Sequence, residues 1–579
     1  MKFKQVALAF EAIQKISARL EITQLLAALF NQASAREVQI MSYITLGTLR
    51  APYEGTQFNI AEKSMKKVLA QSLQVSLETI NSYTRELGDL GSLFLHHHKT
   101  TDVQYDYTVD EMYALLSEFE KIQGIGSHEL REVALIELLS KIDPLSGCYI
   151  IRILLGKLRL GFSDMTIVDA FSWMLVGGKA LRHAIEHAYN KCADLGLIGK
   201  VLKEHGEAGL NTIDITVGIP IRPAAAERLP TARDIVEKIG HCIAQPKLDG
   251  FRVQIHIDNK QGFVRFYSRN LQNMSDMFPE LVAACKAAPV DTLIAEGEAI
   301  SYNEETGEFM PFQETVKRKR KHDIAEVAAE LPLKLFLFDA MYCNGISLLD
   351  KTECKRRDAL LDIFPGTGVI EVIEERAITT PKELEDYFAE KVAAGLEGLV
   401  VKKKGAHYQP GKRNFNWIKL KREEKGYLDD TIDAVILGYY YGKGKRSKFG
   451  IGAFLVGIYD AQRDKFETVA KVGTGLKDAD WIDLKKRCDE LKVLEQPNNV
   501  LCAASLAPHV WVYPEIVCVI RADEITHSPV HTAGKTAHSL GYGLRFPRFM
   551  GYSIDKKSTQ ATSVHELLTL IKHQTSSRE

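Results

Sequence analysis

The sequence predicts a multidomain protein of three unlike parts: all-α over residues 1–214, α+β over 215–427 and an all-β barrel over 428–579. Three observations carry this. A chain of 579 residues exceeds what one hydrophobic core organises. Its N-terminal part repeats apolar residues at helical spacing with almost no proline. Its C-terminal part strings β-rich runs between glycine turns.

In the N-terminal part, apolar positions recur every three and four residues in Phe3–Leu29, Ile60–Leu69, Leu130–Leu139 and Ile167–Leu175. Pro52 and Pro144 are the only prolines before residue 220. The character changes at about 214–235, through Val217-Gly-Ile-Pro-Ile-Arg-Pro223 and Pro230, which predicts an extended boundary segment.

The middle part alternates helical patterns with the strand-like runs Arg252–Ile257, Phe263–Ser268, Thr292–Ile300, Leu333–Asp339 and Gly398–Lys402, consistent with antiparallel pairing. Beyond about 430, strands are expected at Ile432–Tyr441, Ala453–Tyr459, Phe466–Val472 and Val510–Val519. Gly442-Lys-Gly444 and Gly450-Ile-Gly452 supply turns. Several short strands in this length suit a small barrel, of which the oligonucleotide-binding (OB) type is one option.

With 45% hydrophobic and 26% charged residues, the composition is that of an ordinary globular chain. It lacks a run of about 18 uncharged apolar residues, so no membrane span is expected. Glu11 interrupts the apolar N-terminal stretch and no small-residue cleavage pattern follows, so this stretch reads as an amphipathic helix of the domain. The nine cysteines form no Cys-x-x-Cys pair, which argues against a zinc ribbon or thioredoxin-like motif and for buried thiols in a reducing cytoplasm. His96–His98 have no partner at ligand spacing and read as surface or loop. The net charge of −1 argues against a protein that coats nucleic acid over its whole surface. The charge is clustered, however, in Lys317–Lys321, in Lys402–Lys404 and in Lys443, Lys445, Arg446 and Lys448, as a phosphate-tracking surface requires.

The chemistry centres on Gln245-Pro-Lys247-Leu-Asp249-Gly250-Phe-Arg252. A lysine fixed ahead of a strand and followed by a glycine turn can act as a nucleophile once its ammonium loses a proton. That loss requires partial burial or neighbouring cations. Further along stand Tyr267-Ser-Arg269-Asn270, Glu296-Gly-Glu298-Ala, Phe336-Leu-Phe338-Asp339, Glu397-Gly-Leu-Val-Val-Lys402, and Arg413 followed by Trp417-Ile-Lys419-Leu-Lys421. In this order and spacing they resemble the motifs of the covalent nucleotidyltransferases: DNA ligases, RNA ligases and mRNA capping enzymes.

The flanks narrow the resemblance to ATP-dependent DNA ligases of the archaeal and eukaryotic replicative type. Leu154-Leu-Gly-Lys157-Leu-Arg159-Leu-Gly161, Val217–Pro223, Pro311-Phe-Gln313, Asn344-Gly345 with Arg356-Arg357, Asp433 through Arg446, Lys471–Gly475 and Phe546-Pro-Arg548-Phe549 are all ligase-like. The resemblance implies an all-α DNA-binding domain (1–214), an α+β nucleotidyltransferase domain of ATP-grasp-like adenylation type (215–427) and an OB-fold domain (428–579). It implies Lys247 as the nucleophile that takes AMP from ATP and passes it to the 5′-phosphate of a nick. Gln245, Arg252, Arg269, Glu298, Phe338, Lys402, Arg413, Lys419 and Lys421 are the implied nucleotide-binding set, with Phe338 stacking on adenine.

The residue types suit these roles. Lys402, Lys419 and Lys421 can neutralise phosphates, and Arg252 and Arg269 can grip the ribose or a phosphate by forked hydrogen bonds. Phe338 and Val401 offer apolar faces to the purine. Glu298 and Glu397 are hard oxygen donors for Mg²⁺ or partners for the ribose hydroxyls. ATP, Mg²⁺ and nicked double-stranded DNA are therefore the expected cofactors and partner, held by a clamp closing around the duplex. A sliding clamp is a candidate partner, although neither terminus carries a clamp-binding peptide. A monomer is expected, cytoplasmic and nucleoid-associated in a prokaryote or nuclear in a eukaryote.

The chain departs from the family pattern at three positions. Gln245 stands where many relatives have glutamate; its carbonyl can still accept from the adenine amino group. Ser553-Ile-Asp555-Lys556 replaces an Arg-x-Asp-Lys motif, so Lys556 or Lys557 is the candidate to orient the leaving pyrophosphate. Cys518 stands where glutamate is common. Two rival readings exist. An RNA-directed or capping enzyme would need no large helical domain, so residues 1–214 count against it. A nick-binding clamp without catalysis is opposed by the full set Lys247, Glu298, Glu397, Lys419 and Lys421.

Overall fold

The computed structural model describes the chain apart from residues 17, 99–104, 159, 162, 304–307, 311–314, 316, 317, 319–326, 329, 367, 422–430, 538, 554, 555 and 577–579. Arg159, Pro311–Gln313 and most of the 317–321 basic run thus lie outside the described residues. The chain forms two compact units: residues 1–65 with 100–422, and residues 66–99 with 423–579.

In the first unit, the N-terminal part is helical as its periodicity predicts. Phe3–Leu29 divides into helices Phe3–Gln14 and Arg19–Gln32, and further helices include Ala35–Thr45, Ser127–Lys141, Asp164–Val176 and Leu195–His205. Their caps follow from local chemistry: Ser34 accepts from the Glu37 N–H, while Asp194 accepts from the Leu197 N–H. Asp194 also accepts from the hydroxyls of Tyr43 (2.7 Å) and Tyr53 (2.8 Å), tying three segments at one buried carboxylate.

The strands of this unit are β1 (Ala225–Arg228), β2 (Cys242–Lys247), β3 (Phe251–Asp258), β4 (Phe263–Ser268), β5 (Thr292–Asn303), β6 (Glu308–Phe309), β7 (Leu333–Cys343), β8 (Ile346–Ser347), β9 (Ile370–Val372), β10 (Arg376–Ile378), β11 (Gly398–Lys403) and β12 (Arg413–Lys421). One sheet runs β1-β12-β11-β2-β10; the other runs β4-β3-β5-β7-β8, with β6 on β5 and β9 on β7. Pairing is antiparallel except for β1 with β12 and β7 with β9. Each sheet has its own apolar core, centred on Ala244, Leu399 and Ile418 in one and on Ile255, Phe266 and Leu335 in the other.

The 214–235 stretch, expected as a linker, is stitched to the second sheet. Ile221 and the Gln254 side-chain amide exchange two hydrogen bonds of 2.8 Å, and the Gly218 N–H donates to His256 Nδ1 at 2.9 Å. Burial holds the His256 imidazole neutral, its pKa pushed down to about 3, so Nδ1 is free to accept.

In the second unit, β13 (Ile432–Tyr440), β14 (Ala453–Asp460), β15 (Lys465–Val472), β16 (Lys492–Val493), β17 (Val500–Leu501), β18 (Val510–Val512), β19 (Val517–Arg521) and β22 (Arg548–Tyr552) make an eight-stranded sheet, beside a β20 (Glu524–Ser528)–β21 (Gly541–Arg545) pair. Two expectations are corrected here. Val510–Val519 is two strands, because Pro514 has no N–H to donate to a ladder. The region is sheet-rich and not all-β: helices Asp478–Glu490 and Val564–Ser576 belong to it. The first of these buries Trp481, Leu484 and Cys488, on one helical face. Residues 66–99 add helices Leu77–Leu87 and Leu90–His97 to this unit, where Arg85 lies over the ring of Tyr441.

Candidate active site

Lys247 ends β2, which lies between β11 and β10 and is buried along its length until the lysine emerges. The chain then turns through residues 248–250 and enters β3 of the other sheet. Gly250 makes this crossing possible: a Cβ there would lie 2.5 Å from the Ala299 carbonyl oxygen. Its N–H donates to the Glu298 carboxylate at 3.1 Å, pinning the loop after the lysine to the facing sheet.

A cavity of about 600 Å³ opens at this crossing. Of the residues named from sequence, Gln245, Lys247, Arg252, Arg269, Glu298, Phe338, Lys402, Arg413 and Lys419 line it. Glu397 and Lys421 reach it through Lys247: the Glu397 carboxylate pairs with both Lys247 and Lys421. Strand register explains the grouping. Gly398 is opposed by Lys247 on one side and Lys421 on the other, while Val400 is opposed by Gln245 and Lys419. Side chains two apart share a face, so the two rows make one surface. Gly398, at φ +143°, has no room for a side chain against the Leu420 carbonyl.

The cavity is lined by groups of two chemical kinds. Lys247, Arg269, Arg413, Lys419 and Lys421 concentrate positive charge. Burial, then repulsion from Lys421, Arg413, Lys247 and Arg269, lowers the Lys419 pKa below the usual lysine value. Such a cluster is stabilised by an anion. Apolar surface comes from Phe338, Ile373, Val400 and Trp417, and the Gln245 amide lines the cavity with them, Val400 and Gln245 standing in the same cross-strand row as Lys419. Phe338 packs edge-on against Trp417, with ring centroids 5.9 Å apart.

Two carboxylates differ sharply. Burial pushes Glu298 up to about 7, against the opposing pull of Lys247 and Arg252. Burial also raises Glu397, but Lys247 and Lys421 more than offset it and hold its carboxyl below the ordinary value. Glu397 is thus a committed anion, and Glu298 is poised near neutrality.

Three expectations from sequence need correction. Lys402 is not on a solvated basic run: it is 3% exposed, and its ammonium donates to the Phe338 carbonyl (2.6 Å) and to Asp339 (3.2 Å). Asp339 is also gripped by Arg356, at 2.6 Å. Arg318, the described member of the 317–321 run, is likewise buried and donates to Glu280. Arg252 does not offer its whole guanidinium to a ligand: one of its terminal nitrogens donates to both oxygens of Glu296 at 3.0 and 2.9 Å, while its Nε makes no hydrogen bond within the protein. The Tyr408 hydroxyl donates to the same carboxylate at 2.8 Å. Sequence reasoning passed over Glu296, Tyr408 and Ile373. The signal for Glu296 was available: Glu296 and Glu298 are two residues apart on one strand and must share a face.

The comparisons with known proteins extend over nearly the whole chain. Residues 223–421 match the family described as the ATP dependent DNA ligase domain, residues 2–172 the DNA ligase N terminus, and residues 447–556 the ATP dependent DNA ligase C terminal region. A probable DNA ligase of Dictyoglomus thermophilum is 43% identical over 576 residues, covering 99% of this chain and 98% of its own. The chain belongs to the ATP-dependent DNA ligase family.

A DNA ligase of Sulfolobus acidocaldarius is 37% identical over 588 residues, with 98% of each chain covered. Among solved structures, the chain named Pmar-Lig_PreS3 has a TM-score of 0.55 at 16% identity, covering 94% of this chain and 98% of its own, a likeness of fold. The family thus accounts for the helical N-terminal region and for the sheet-rich regions that follow. None of the described helices is long and apolar enough to cross a membrane.

In the C-terminal unit, the basic residues singled out from sequence are partly engaged. Arg446 donates to the Gly452 carbonyl at 2.8 Å, and Lys448 pairs with Asp478 at 3.0 Å. Lys556 pairs with Asp433 at 2.5 Å. Cys518 is fully buried, its thiol against the Ala434 carbonyl at 3.4 Å, and serves packing.

Proposed function

We propose that this chain seals nicks in duplex DNA, with Lys247 as the nucleophile that carries AMP. The observation that carries the reading is the mixed lining of the cavity: a lysine fixed at the crossing between sheets, a cluster of cations, and apolar rings with an amide. A nucleoside triphosphate matches both kinds of surface. Its purine lies against Phe338, and its phosphates lie among Arg269, Arg413, Lys419 and Lys421.

In the first step Lys247 Nζ, as the free amine, attacks the α-phosphorus of ATP; the P–N bond forms, one N–H proton passes to solvent and pyrophosphate leaves. In the second, an oxygen of the nick's 5′-phosphate attacks that phosphorus, and the P–N bond breaks as Lys247 recovers its proton. In the third, the 3′-hydroxyl attacks the 5′-phosphorus and AMP leaves. The cation cluster holds the charge that builds on the phosphates in each transfer. Glu397 keeps Lys247 and Lys421 in register at the end of β2. Lys402, Asp339 and Arg356 hold the backbone behind Phe338, and Arg252 with Glu296 braces the wall beside it, so these groups act chiefly by positioning.

The donor set fits a divalent cation of the magnesium type. Among the described residues no three His, Cys, Asp or Glu side chains converge. Glu298 and Glu397 offer the one or two carboxylates that Mg²⁺ takes beside substrate phosphates, and Asp249 lines the same cavity. Bound there, the cation would neutralise phosphate charge.

The division into a DNA-binding part (1–214), an ATP-grasp-like adenylation part (215–427) and an OB-fold (428–579) belongs to the same reading. So do the clamp around the duplex, the monomeric state and the cytoplasmic or nuclear location. Sealing of a 5′-phosphorylated nick, compared on DNA, RNA and hybrid duplexes, tests it. Closure of the DNA nick with ATP supports it, and closure of RNA nicks alone would overturn it.

A further inference from the structure

Gln245 ends in an amide, which presents an acceptor on one side and two donors on the other. Its orientation therefore decides what it offers a ligand. In the structure its Nε2 donates to the Glu375 carboxylate at 3.2 Å. An ionised carboxylate only accepts, so the NH₂ end must face Glu375 and the carbonyl is left for the cavity that Gln245 lines. Glu375 is itself held. Arg357 pairs with the same Glu375 oxygen at 3.2 Å, and donates through the same nitrogen to the Ile373 carbonyl at 2.8 Å. Ile373 in turn lines the cavity beside Gln245, and its N–H donates to the Leu337 carbonyl at 2.8 Å.

We propose that Glu375, anchored by Arg357, is a specificity-determining positioning residue: it fixes the Gln245 amide with its carbonyl toward the base and so selects a 6-aminopurine over a 6-oxopurine nucleotide. The inference rests on the nucleotide reading of the cavity. Adenine presents an amino group at C6, a donor that the carbonyl accepts. Guanine presents an oxygen there, which would face the amide carbonyl acceptor to acceptor. A freely rotating amide would serve both, since a half-turn exchanges its ends. A buried polar mismatch of this kind discriminates strongly, whereas shape alone does not. Neither Glu375 nor Arg357 touches the nucleotide in this account; both act through Gln245.

The test compares ATP with GTP in self-labelling of the full-length protein, read by intact mass as the gain of AMP or GMP. The wild type takes AMP in strong preference. Glu375→Gln removes the acceptor-only partner, and the ATP-to-GTP ratio of kcat/KM is expected to fall roughly tenfold or more, mainly through KM. The reciprocal pair Gln245→Glu with Glu375→Gln restores a donor–acceptor contact with an acceptor toward the base, and should recover the preference for ATP. Gln245→Glu alone sets two carboxylates face to face and should label poorly with either nucleotide. An unchanged ratio in Glu375→Gln, or a double variant no better than Gln245→Glu, would overturn the proposal. Wild-type protein that takes up neither nucleotide would instead refute the nucleotide reading beneath it.

Discussion

The carboxylate of Glu397 pairs with the ammonium of Lys247 across adjacent strands, one residue before the Gly398–Lys247 register pair of β11 and β2. This contact fixes the amine at the mouth of the cavity, and Lys421 closes it from the other side. Glu397→Gln keeps the size of the side chain but removes its charge. The self-adenylation rate is expected to fall by about 100-fold, as misplacing a reacting group by an ångström can cost, with the fold retained. Rates from intact mass beside circular dichroism check this.

Glu298 supplies a pH signature. Its carboxyl is pushed up to about 7 from the usual 4.5, so over that window the folded protein binds more protons than the unfolded chain. Stability from this group is therefore lost as pH rises through 4.5 to about 7. Glu298→Gln cannot lose it, so the variant should gain on the wild type by up to about 3 kcal/mol, at ~1.36 kcal/mol per unit. Urea unfolding of both proteins at pH 5 and pH 8 measures the difference. A gap that does not widen toward pH 8 would contradict the assignment.

Lys402→Met separates positioning from phosphate binding. Removing one partner from the buried Lys402–Asp339 pair leaves a carboxylate whose remaining charged partner is Arg356, beside the Ala340 N–H, at a cost of about 3 kcal/mol or more. A clear loss of thermal stability is expected. An unchanged melting temperature with only a raised KM for ATP would show that Lys402 binds phosphate directly.

How far the sequence could be read differs between elements for physical reasons. Strands β4, β5 and β11 begin at the residues where β-branched and aromatic runs begin, because local pattern sets them. β2 went unread, since Pro246 breaks the strand signature just before the lysine; pairing with β11 and β10 overrides it. Motif order identified the residues that line the cavity. It could not show that Lys402 and Arg252 are committed to Asp339 and Glu296, because ion pairs between strands distant in sequence leave no local trace. The association of residues 66–99 with the C-terminal unit is hidden for the same reason.

Lys556 is the candidate to replace the arginine missing at Ser553. Lys556→Ala and Lys557→Ala together should slow self-adenylation by about tenfold, the worth of one charged contact, while sealing of a nick already carrying the 5′-adenylate stays near wild type. Single-turnover assays of the two steps separate these outcomes, and an unchanged first step would exclude both lysines.

The central claim is that Lys247 carries the AMP. Intact mass of the protein after incubation with ATP and Mg²⁺, beside Lys247→Ala, tests it most directly. The expected result is a gain of one AMP in the wild type and none in the variant. AMP uptake by Lys247→Ala, or no uptake by either protein, would contradict the account.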